Sequence, residues 1–180
     1  MPAPPELRTS AATDAHADSV CRAWYEDHGR AVYSYLRFHL PSADEAEDLT
    51  ADVFLRAVRA EDRFDPARSS ARTWLFRIAR NALFDHLRRE RRRRLVPLGT
   101  MRDLCSDAPS PEERVLWEEE VGRLVSAVAG LGARDREVIG LRYGSGLDTR
   151  EVAEILGVAE PAARTRLWRA LGRLREVLAS

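Results

Sequence analysis

Lysine is absent from this chain of 180 residues, and all 29 of its basic residues are arginine. The 29 acidic residues balance them, so the formal net charge is zero. A balanced total normally argues against a nucleic-acid partner, but the two signs are segregated along the chain. The pattern of charge is therefore more informative than its sum.

Cysteine is almost as scarce as lysine. The only two, Cys21 and Cys105, are far apart, and neither lies in a Cys-x-x-Cys or Cys/His spacing. This argues against a disulfide framework and a structural zinc site, and we interpret both thiols as incidental. No apolar run approaches the roughly 18 residues that a membrane-spanning helix needs, so we expect no membrane insertion.

Signals for catalysis and for export are also missing. The chain has no glycine-rich phosphate loop and no Gly-x-Ser-x-Gly motif. Its histidines share no spacing with acids or cysteines that would suggest a metal or a general base. The sequence therefore predicts no catalytic residues, no metal and no cofactor. The N-terminus resembles neither a secretory signal nor a transit peptide, which favours the cytoplasm.

Apolar residues recur at three- and four-residue intervals over most of the chain, which predicts an all-α protein. The first 18 residues read as a disordered tail, and a first helix is expected over about residues 18–39. Ser42 and Glu45 have the spacing of a capping box, which predicts the start of a second helix with an acidic outer face. Asp65-Pro66 indicates a loop, and the third helix runs into the basic block Arg91–Arg94.

The periodicity fails between residues 95 and 111, where prolines, glycine and serines accumulate. We predict a flexible linker there, with one small helical domain over residues 19–94 and another over residues 112–180. Within the second domain, an acidic helix over Glu112–Leu131 precedes one near Asp135–Tyr143. Asp148 and Glu151 can cap a short helix, Gly157 supplies a turn, and a longer helix begins near Pro161. This order is the signature of a helix-turn-helix domain.

The last helix is predicted to carry arginines opposite its apolar face. Phosphates attract such a surface into the major groove, where guanidinium groups can read guanine edges. A solvated antiparallel hairpin remains the plainer alternative. Similarly, Trp74 is more typical of a core residue than of a platform for stacked bases, and the run Arg88–Arg94 is as typical of a solvated helix end as of a DNA contact.

The order and spacing of these segments resemble the extracytoplasmic-function group of bacterial sigma factors, from about Trp24 to Leu178. Four stretches carry the resemblance: Ala31–Arg37, Ala46–Ala57, Thr73–Arg89 and Leu147–Val158 with the helix that follows. The resemblance implies that the first domain binds core RNA polymerase and the −10 promoter element, while the second reads the −35 element. Ala159, Pro161 and Ala163 depart from the usual pattern, which leaves the preferred −35 sequence open.

The resemblance also implies three sets of binding residues. The set for the −10 element is Arg72, Trp74, Arg77, Arg80, Asn81, His86 and Arg88. The set for the −35 element is Glu160, Arg164, Thr165, Arg166, Arg169 and Arg173. The set for the polymerase is Asp48, Leu49, Asp52, Phe54 and Arg56.

Core RNA polymerase, through its beta-prime clamp helices and beta flap, and promoter DNA are the expected partners. Because the chain ends soon after the last helix, we expect control by a separate anti-sigma protein. Two other readings stay open. One is a stand-alone, dimeric helix-turn-helix regulator that binds operators without polymerase. The weaker one is a helical adaptor for an acidic protein.

Overall fold

The first helix is longer than the sequence predicts. A computed structural model describes residues 7–93 and 123–179, and in it α1 extends over Leu7–His39. Residues 7–18, expected in a disordered tail, therefore lie in helical backbone. Four alanines between residues 11 and 17 explain the difference, because alanine has the highest intrinsic helix propensity. Pro41 follows the end of α1, as expected.

Hydroxyl groups define the starts of the next two helices. Helix α2 spans Ala43–Arg59, and the Ser42 hydroxyl accepts a hydrogen bond from the Glu45 amide. A 3₁₀ turn at Glu61–Arg63 leads into the expected loop. Helix α3 spans Ala71–Arg93, and the Ser70 hydroxyl accepts from the Thr73 amide at 3.1 Å. We call α1–α3 the first module.

The second module consists of the helices after residue 122. Helix α4 is described over residues 123–130, α5 spans Ala133–Ile139, and a π-helical turn follows at Gly140–Gly144. Helix α6 spans Thr149–Leu156 and α7 spans Glu160–Leu178. The described residues contain no strand, so the all-α prediction is confirmed for that part of the chain. The predicted linker and the start of the acidic helix lie outside the described residues.

The two modules share one continuous apolar core. Tyr35 and Phe76 are fully buried in the first module, and Leu141 and Leu147 are fully buried in the second. The end of α1 packs on the π-helical turn, and α3 packs on α6. The sequence predicted the modules but not this packing between them.

A glycine permits the closest approach of the modules. Gly140 lies at the start of the π-helical turn, against the last residues of α1. A Cβ at this position would lie 2.4 Å from His39 Cε1 and 2.8 Å from Phe38 Cδ1. Only a residue without a side chain allows this contact, so Gly140 is required by the position of the neighbouring module rather than by its own backbone angles.

Candidate nucleic-acid interface

The α6–α7 pair has the local geometry of a helix-turn-helix. Asp148 and Glu151 form a reciprocal capping box at the start of α6, as predicted. Gly157 ends that helix with a φ of 66°, a left-handed conformation that glycine adopts readily. Ala159 offers no side-chain cap to α7, while Pro161 lies in its first turn. Helix α7 packs through a narrow stripe of small and apolar residues, and its opposite face is open to solvent.

The arginines predicted to read the −35 element divide into two that form ion pairs and two that form none within the described residues. Arg164 contacts Glu160 at 2.8 Å within the exposed first turns of α7. Arg173 makes two contacts of 2.6 and 2.7 Å with Asp135 of α5, and this hydrogen bonding raises its pKa. These two arginines are therefore engaged within the module, and Thr165 donates to the Pro161 carbonyl.

Arg166 and Arg169 differ from their neighbours on α7. Both side chains are exposed, and neither makes an ion pair with any residue in the described ranges. Residues three positions apart are neighbours on a helix surface, so these two guanidinium groups can approach the same stretch of DNA. They are the best placed of the predicted set.

Three arginines of the predicted −10 set lie on the face of α3 that meets the second module. Arg72 donates to the carbonyl groups of Ser145 and Gly146 at 3.0 and 3.3 Å. Arg77 and Arg80 form ion pairs with carboxylates of the second module. In this arrangement each of the three guanidinium groups contacts the second module, while the arginine side chains stay 30–43% exposed.

The rest of the −10 set lies elsewhere on the first module. Trp74 is half-buried and packs against the rings of Trp24 and Phe64, with centroid separations of 5.2 Å for both pairs. His86 lies 3.3 Å from a Glu45 carboxylate oxygen. Two members remain on the surface: Asn81 is exposed, and Arg88 is exposed beside Asp85.

The predicted polymerase-binding set is only partly on the surface of α2. Asp48 is exposed and Asp52 is half-exposed. Leu49 and Phe54 are buried, at 6% and 4% exposure, so they pack α2 against the core and cannot contact a partner directly. Arg56 bridges Asp52 at 2.6 Å and Asp85 of α3 at 3.6 Å, and the hydrogen bond that its guanidinium donates to Asp52 raises the pKa of Arg56.

Comparison with known proteins matches both modules to the same protein family. The profile of Sigma-70 region 2 matches residues 24–93, and that of Sigma-70 region 4 matches residues 122–174. The sigma factor SigL of Mycobacterium tuberculosis is 32% identical over 95% of this chain and 95% of its own length. The chain is an extracytoplasmic-function sigma factor. A sigma factor directs RNA polymerase to promoters, and the stand-alone regulator is not favoured.

Two further relatives agree with this assignment. The sigma factor BldN of Streptomyces coelicolor is 34% identical over 86% of the chain, although the match covers only 58% of BldN. The solved structure of CnrH in complex with the cytosolic domain of CnrY superposes with a TM-score of 0.67 at 27% identity. That superposition covers 93% of this chain and 96% of CnrH. The sigma-factor fold therefore extends through both modules.

Two exposed apolar side chains of this sigma factor were missed from the sequence. Trp168 is 72% exposed on the outer face of α7, one turn beyond Arg164 and Thr165. Leu55 is 55% exposed on α2, beside Asp48 and Asp52. Both lie outside the apolar stripe of their helix. An apolar residue at a position where the helical period predicts a polar one is the sequence signal that could have identified them.

The sigma factor has no metal-ligating cluster of three or more His, Cys, Asp or Glu side chains within residues 7–93 and 123–179. In the same ranges, no helix is both long and apolar enough to cross a bilayer.

Proposed function

We propose that this sigma factor binds core RNA polymerase and recognises promoters at two sites, with α7 reading the −35 element. The observation that carries the proposal is that Arg166 and Arg169 are exposed on the open face of α7 and make no ion pair within the described residues. Guanidinium groups in this position can donate two hydrogen bonds to a guanine edge in the major groove. Trp168, one turn beyond Arg164, adds an exposed apolar surface to α7 that is suited to a thymine methyl group.

The −10 element is assigned to the first module. Trp74, Trp24 and Phe64 form a half-buried aromatic cluster beside the loop before α3. Aromatic rings next to arginines hold unstacked bases in single-stranded DNA. Arg72, Arg77, Arg80 and Asn81 supply the polar contacts in this proposal, once the second module has moved away from α3.

The docking surface for core polymerase is placed on the outer face of α2. It comprises Asp48, Asp52 and Leu55, so an apolar contact lies beside two carboxylates. A buried apolar anchor with charged residues at its edge is a common composition for a protein interface. We assign the beta-prime clamp helices to this face and the beta flap to the second module.

The remaining parts of the proposal concern cellular context. We assign the chain to the cytoplasm, where core polymerase acts, and propose that it has no catalytic activity of its own. CnrH was solved with the cytosolic domain of CnrY, and a structure of RpoE with the anti-sigma factor NepR has the same fold at 24% identity. We propose by analogy that a separate anti-sigma protein controls this chain.

Reconstituted transcription tests the proposal. The purified chain is added to bacterial core polymerase on genomic DNA of its own host, and the 5′ ends of the transcripts are mapped. We expect new start sites that share two upstream sequence elements and that disappear with the double variant Arg166→Ala/Arg169→Ala. An absence of new start sites, or tight operator binding by the chain alone as a dimer, would contradict it.

A further inference from the structure

A cavity of about 310 Å³ lies where the two modules meet. It is bordered by the end of α1, by the C-terminal half of α3 and by the start of α5. Most of its wall is apolar and is formed by Leu40, Leu83, Phe84 and Leu87. Small-molecule sites are typically concave and largely apolar, have a few polar groups that orient the ligand, and have volumes from about 300 Å³ upward. This cavity has the size and the lining of a site for a small ligand.

Arg136 borders the cavity on its α5 side. Its NH2 group donates to the Leu131 carbonyl, just beyond α4, at 3.0 Å. Its Nε is buried, and within residues 7–93 and 123–179 it has neither a hydrogen-bond partner nor a carboxylate that pairs with the guanidinium group. Burial lowers the pKa of Arg136. A cation out of water is unfavourable without a counter-charge, so this position favours an anionic partner.

The carboxylates around the cavity are engaged by other groups. Glu137 contacts Arg80 at 2.5 Å, and Glu45 lies 3.3 Å from a histidine side chain of α3. Glu90, at the end of α3, also has an interaction partner. None of the three forms an ion pair with Arg136, although they border the same space. The Arg136 guanidinium group is therefore available to an anion that enters the cavity.

A second residue with an unpartnered polar atom borders the same cavity. His39 Nδ1 lies 2.8 Å from the Tyr35 carbonyl, so Nδ1 donates and Nε2 is the acceptor of the neutral ring. Nε2 is buried and makes no hydrogen bond to any described residue. Buried polar atoms in proteins are nearly always bonded to protein, to water or to a ligand. Two residues of one cavity thus carry polar atoms whose hydrogen bonds are not made within the described chain.

We propose that this cavity binds a small carboxylate with an apolar body, and that the carboxylate pairs with the Arg136 guanidinium group. A guanidinium group binds a carboxylate through charge-assisted hydrogen bonds, and the apolar body packs against Leu83, Phe84 and Leu87. Arg136 and these apolar residues belong to none of the surfaces assigned to DNA or to polymerase. The site therefore adds a ligand to the proposed function without depending on promoter recognition.

Octanoate is the probe, because it joins one carboxylate to an apolar chain. 1-Octanol has the same chain without the charge, and 3-phenylpropanoate has the same charge on an aromatic body. Isothermal titration calorimetry with the full chain measures all three. A ligand of about ten non-hydrogen atoms in a fitting site reaches a Kd of about 1 mM. We expect at least one of the two carboxylates to reach this affinity and to bind about tenfold more tightly than 1-octanol. The tighter of the two shows whether the body is aliphatic or aromatic.

Arg136→Gln tests the charge, because glutamine is neutral and keeps an N–H donor for the Leu131 carbonyl. Arg134→Gln is the matched control: it makes the same charge change at an exposed position of α5 that does not border the cavity. We expect Arg136→Gln to weaken carboxylate binding about tenfold or more and to leave 1-octanol binding unchanged. Arg134→Gln should change neither, and Arg136→Lys should restore part of the carboxylate binding. Circular dichroism checks that each variant is folded.

Ala133→Phe tests the cavity without changing any charge. Ala133 is exposed and borders the cavity, so a larger side chain can occupy part of the space. We expect this variant to weaken the binding of octanoate and of 1-octanol alike. In nuclear magnetic resonance spectra, the Arg136 Nε–H signal should move when the carboxylate is added to the wild-type chain, and should stay in place in Ala133→Phe.

Three results would overturn the site: no binding of either carboxylate, equal losses for Arg136→Gln and Arg134→Gln, or unchanged binding by Ala133→Phe. Equal losses would indicate a general charge effect, and unchanged binding would place the ligand elsewhere on the chain. None of these measurements uses polymerase or DNA. A failure of the ligand site is therefore distinguishable from a failure of the proposed function, which the transcription assay tests.

Discussion

At the scale of single residues, the arginines of α7 have different roles although they look equivalent in sequence. Arg166 and Arg169 are exposed and without an ion pair in the described part of the chain, whereas Arg173 is held by Asp135. The side chains available to DNA are therefore fewer than the helical pattern suggests. We therefore expect Arg166 and Arg169 to read bases, and Arg173 to support the fold.

We expect Arg166→Ala or Arg169→Ala to weaken promoter binding by about 1–3 kcal/mol and to relax the preference at one base pair of the upstream element. The measurement uses holoenzyme on a panel of single-base promoter variants. A uniform loss on every promoter, for both variants, would instead mean that they contact only phosphates.

Arg173→Ala is the comparison for this experiment. Arg173 lies further along α7, and we expect it to contact phosphate, so that its loss weakens binding to all promoters alike. Its two contacts with Asp135 lead us to expect a lower melting temperature as well, because they join α7 to α5. An unchanged melting temperature would show that the contact contributes nothing to stability.

His39 makes the contact between modules sensitive to pH. Burial lowers its pKa to about 4 from an ordinary value of 6.5, and the nearby charge of Arg136 acts in the same direction. Nδ1 bonds the Tyr35 carbonyl, while Nε2 is buried without a partner in the described residues. The packed structure therefore requires the neutral ring.

Because the pKa of His39 is depressed in the folded protein, we expect the protein to lose stability in acid. The unfolded chain binds a proton at about pH 6.5 and the folded chain only near pH 4, so stability is complete above about pH 6.5 and falls between these values. We expect a loss of up to about 3 kcal/mol in the free energy of unfolding. Denaturant titrations at pH 7 and 4.5 should show a smaller loss for His39→Asn, and equal losses would exclude His39 as the cause.

At the scale of secondary-structure elements, α6 depends on its first turn. Asp148 Oδ1 accepts from the Glu151 amide at 2.7 Å, and the Glu151 carboxylate accepts from the Asp148 amide at 2.8 Å. Asp148→Ala should destabilise the chain by about 1 kcal/mol, measured by denaturant unfolding. Asp148→Asn keeps an acceptor and is the control. Equal stability of both variants would mean that the cap does not contribute.

Helix α2 carries the prediction for polymerase binding. Asp48→Lys should weaken binding to core polymerase in a pull-down without changing helix content, and Leu55→Ala should weaken it further because an apolar contact is lost. Glu26→Lys on α1 is the control with the same change in charge. Asp48 is preferable to Asp52 as the test, because Asp52 also holds Arg56. Unchanged binding of the folded Asp48→Lys/Leu55→Ala variant would contradict the assignment of this face.

At the scale of the whole molecule, the two modules are joined by the chain between them and also by direct packing. Cutting the chain tests whether the packing alone holds them together. The sequence predicts a protease-sensitive linker over residues 95–111, and the structure adds a contact between the modules that does not depend on it. We expect limited proteolysis to produce two fragments that elute together from a sizing column at low salt. At about 1 M salt they should separate more readily, because partly exposed ion pairs are screened. Fragments that elute apart at low salt would contradict the shared core.

Local signals in the sequence determined most of the secondary structure. Capping residues, proline and the helical period predicted α2, α3 and the helix-turn-helix, because these features act within a few residues of chain. The start of α1 was missed because alanine propensity outweighed the polar composition of residues 7–18. The motifs that resemble sigma factors predicted the family for the same reason, since each is contiguous.

Only the tertiary structure decided which site residues are available. Arg72, Arg77 and Arg80 carry the same charge as Arg166 and Arg169, yet the first three face carboxylates and carbonyl groups more than fifty residues away in sequence. The burial of Phe54 and the need for glycine at Gly140 are likewise set by neighbouring helices. A one-dimensional pattern specifies which face of a helix is apolar. It does not specify which distant group covers the polar face, because that depends on how the modules pack.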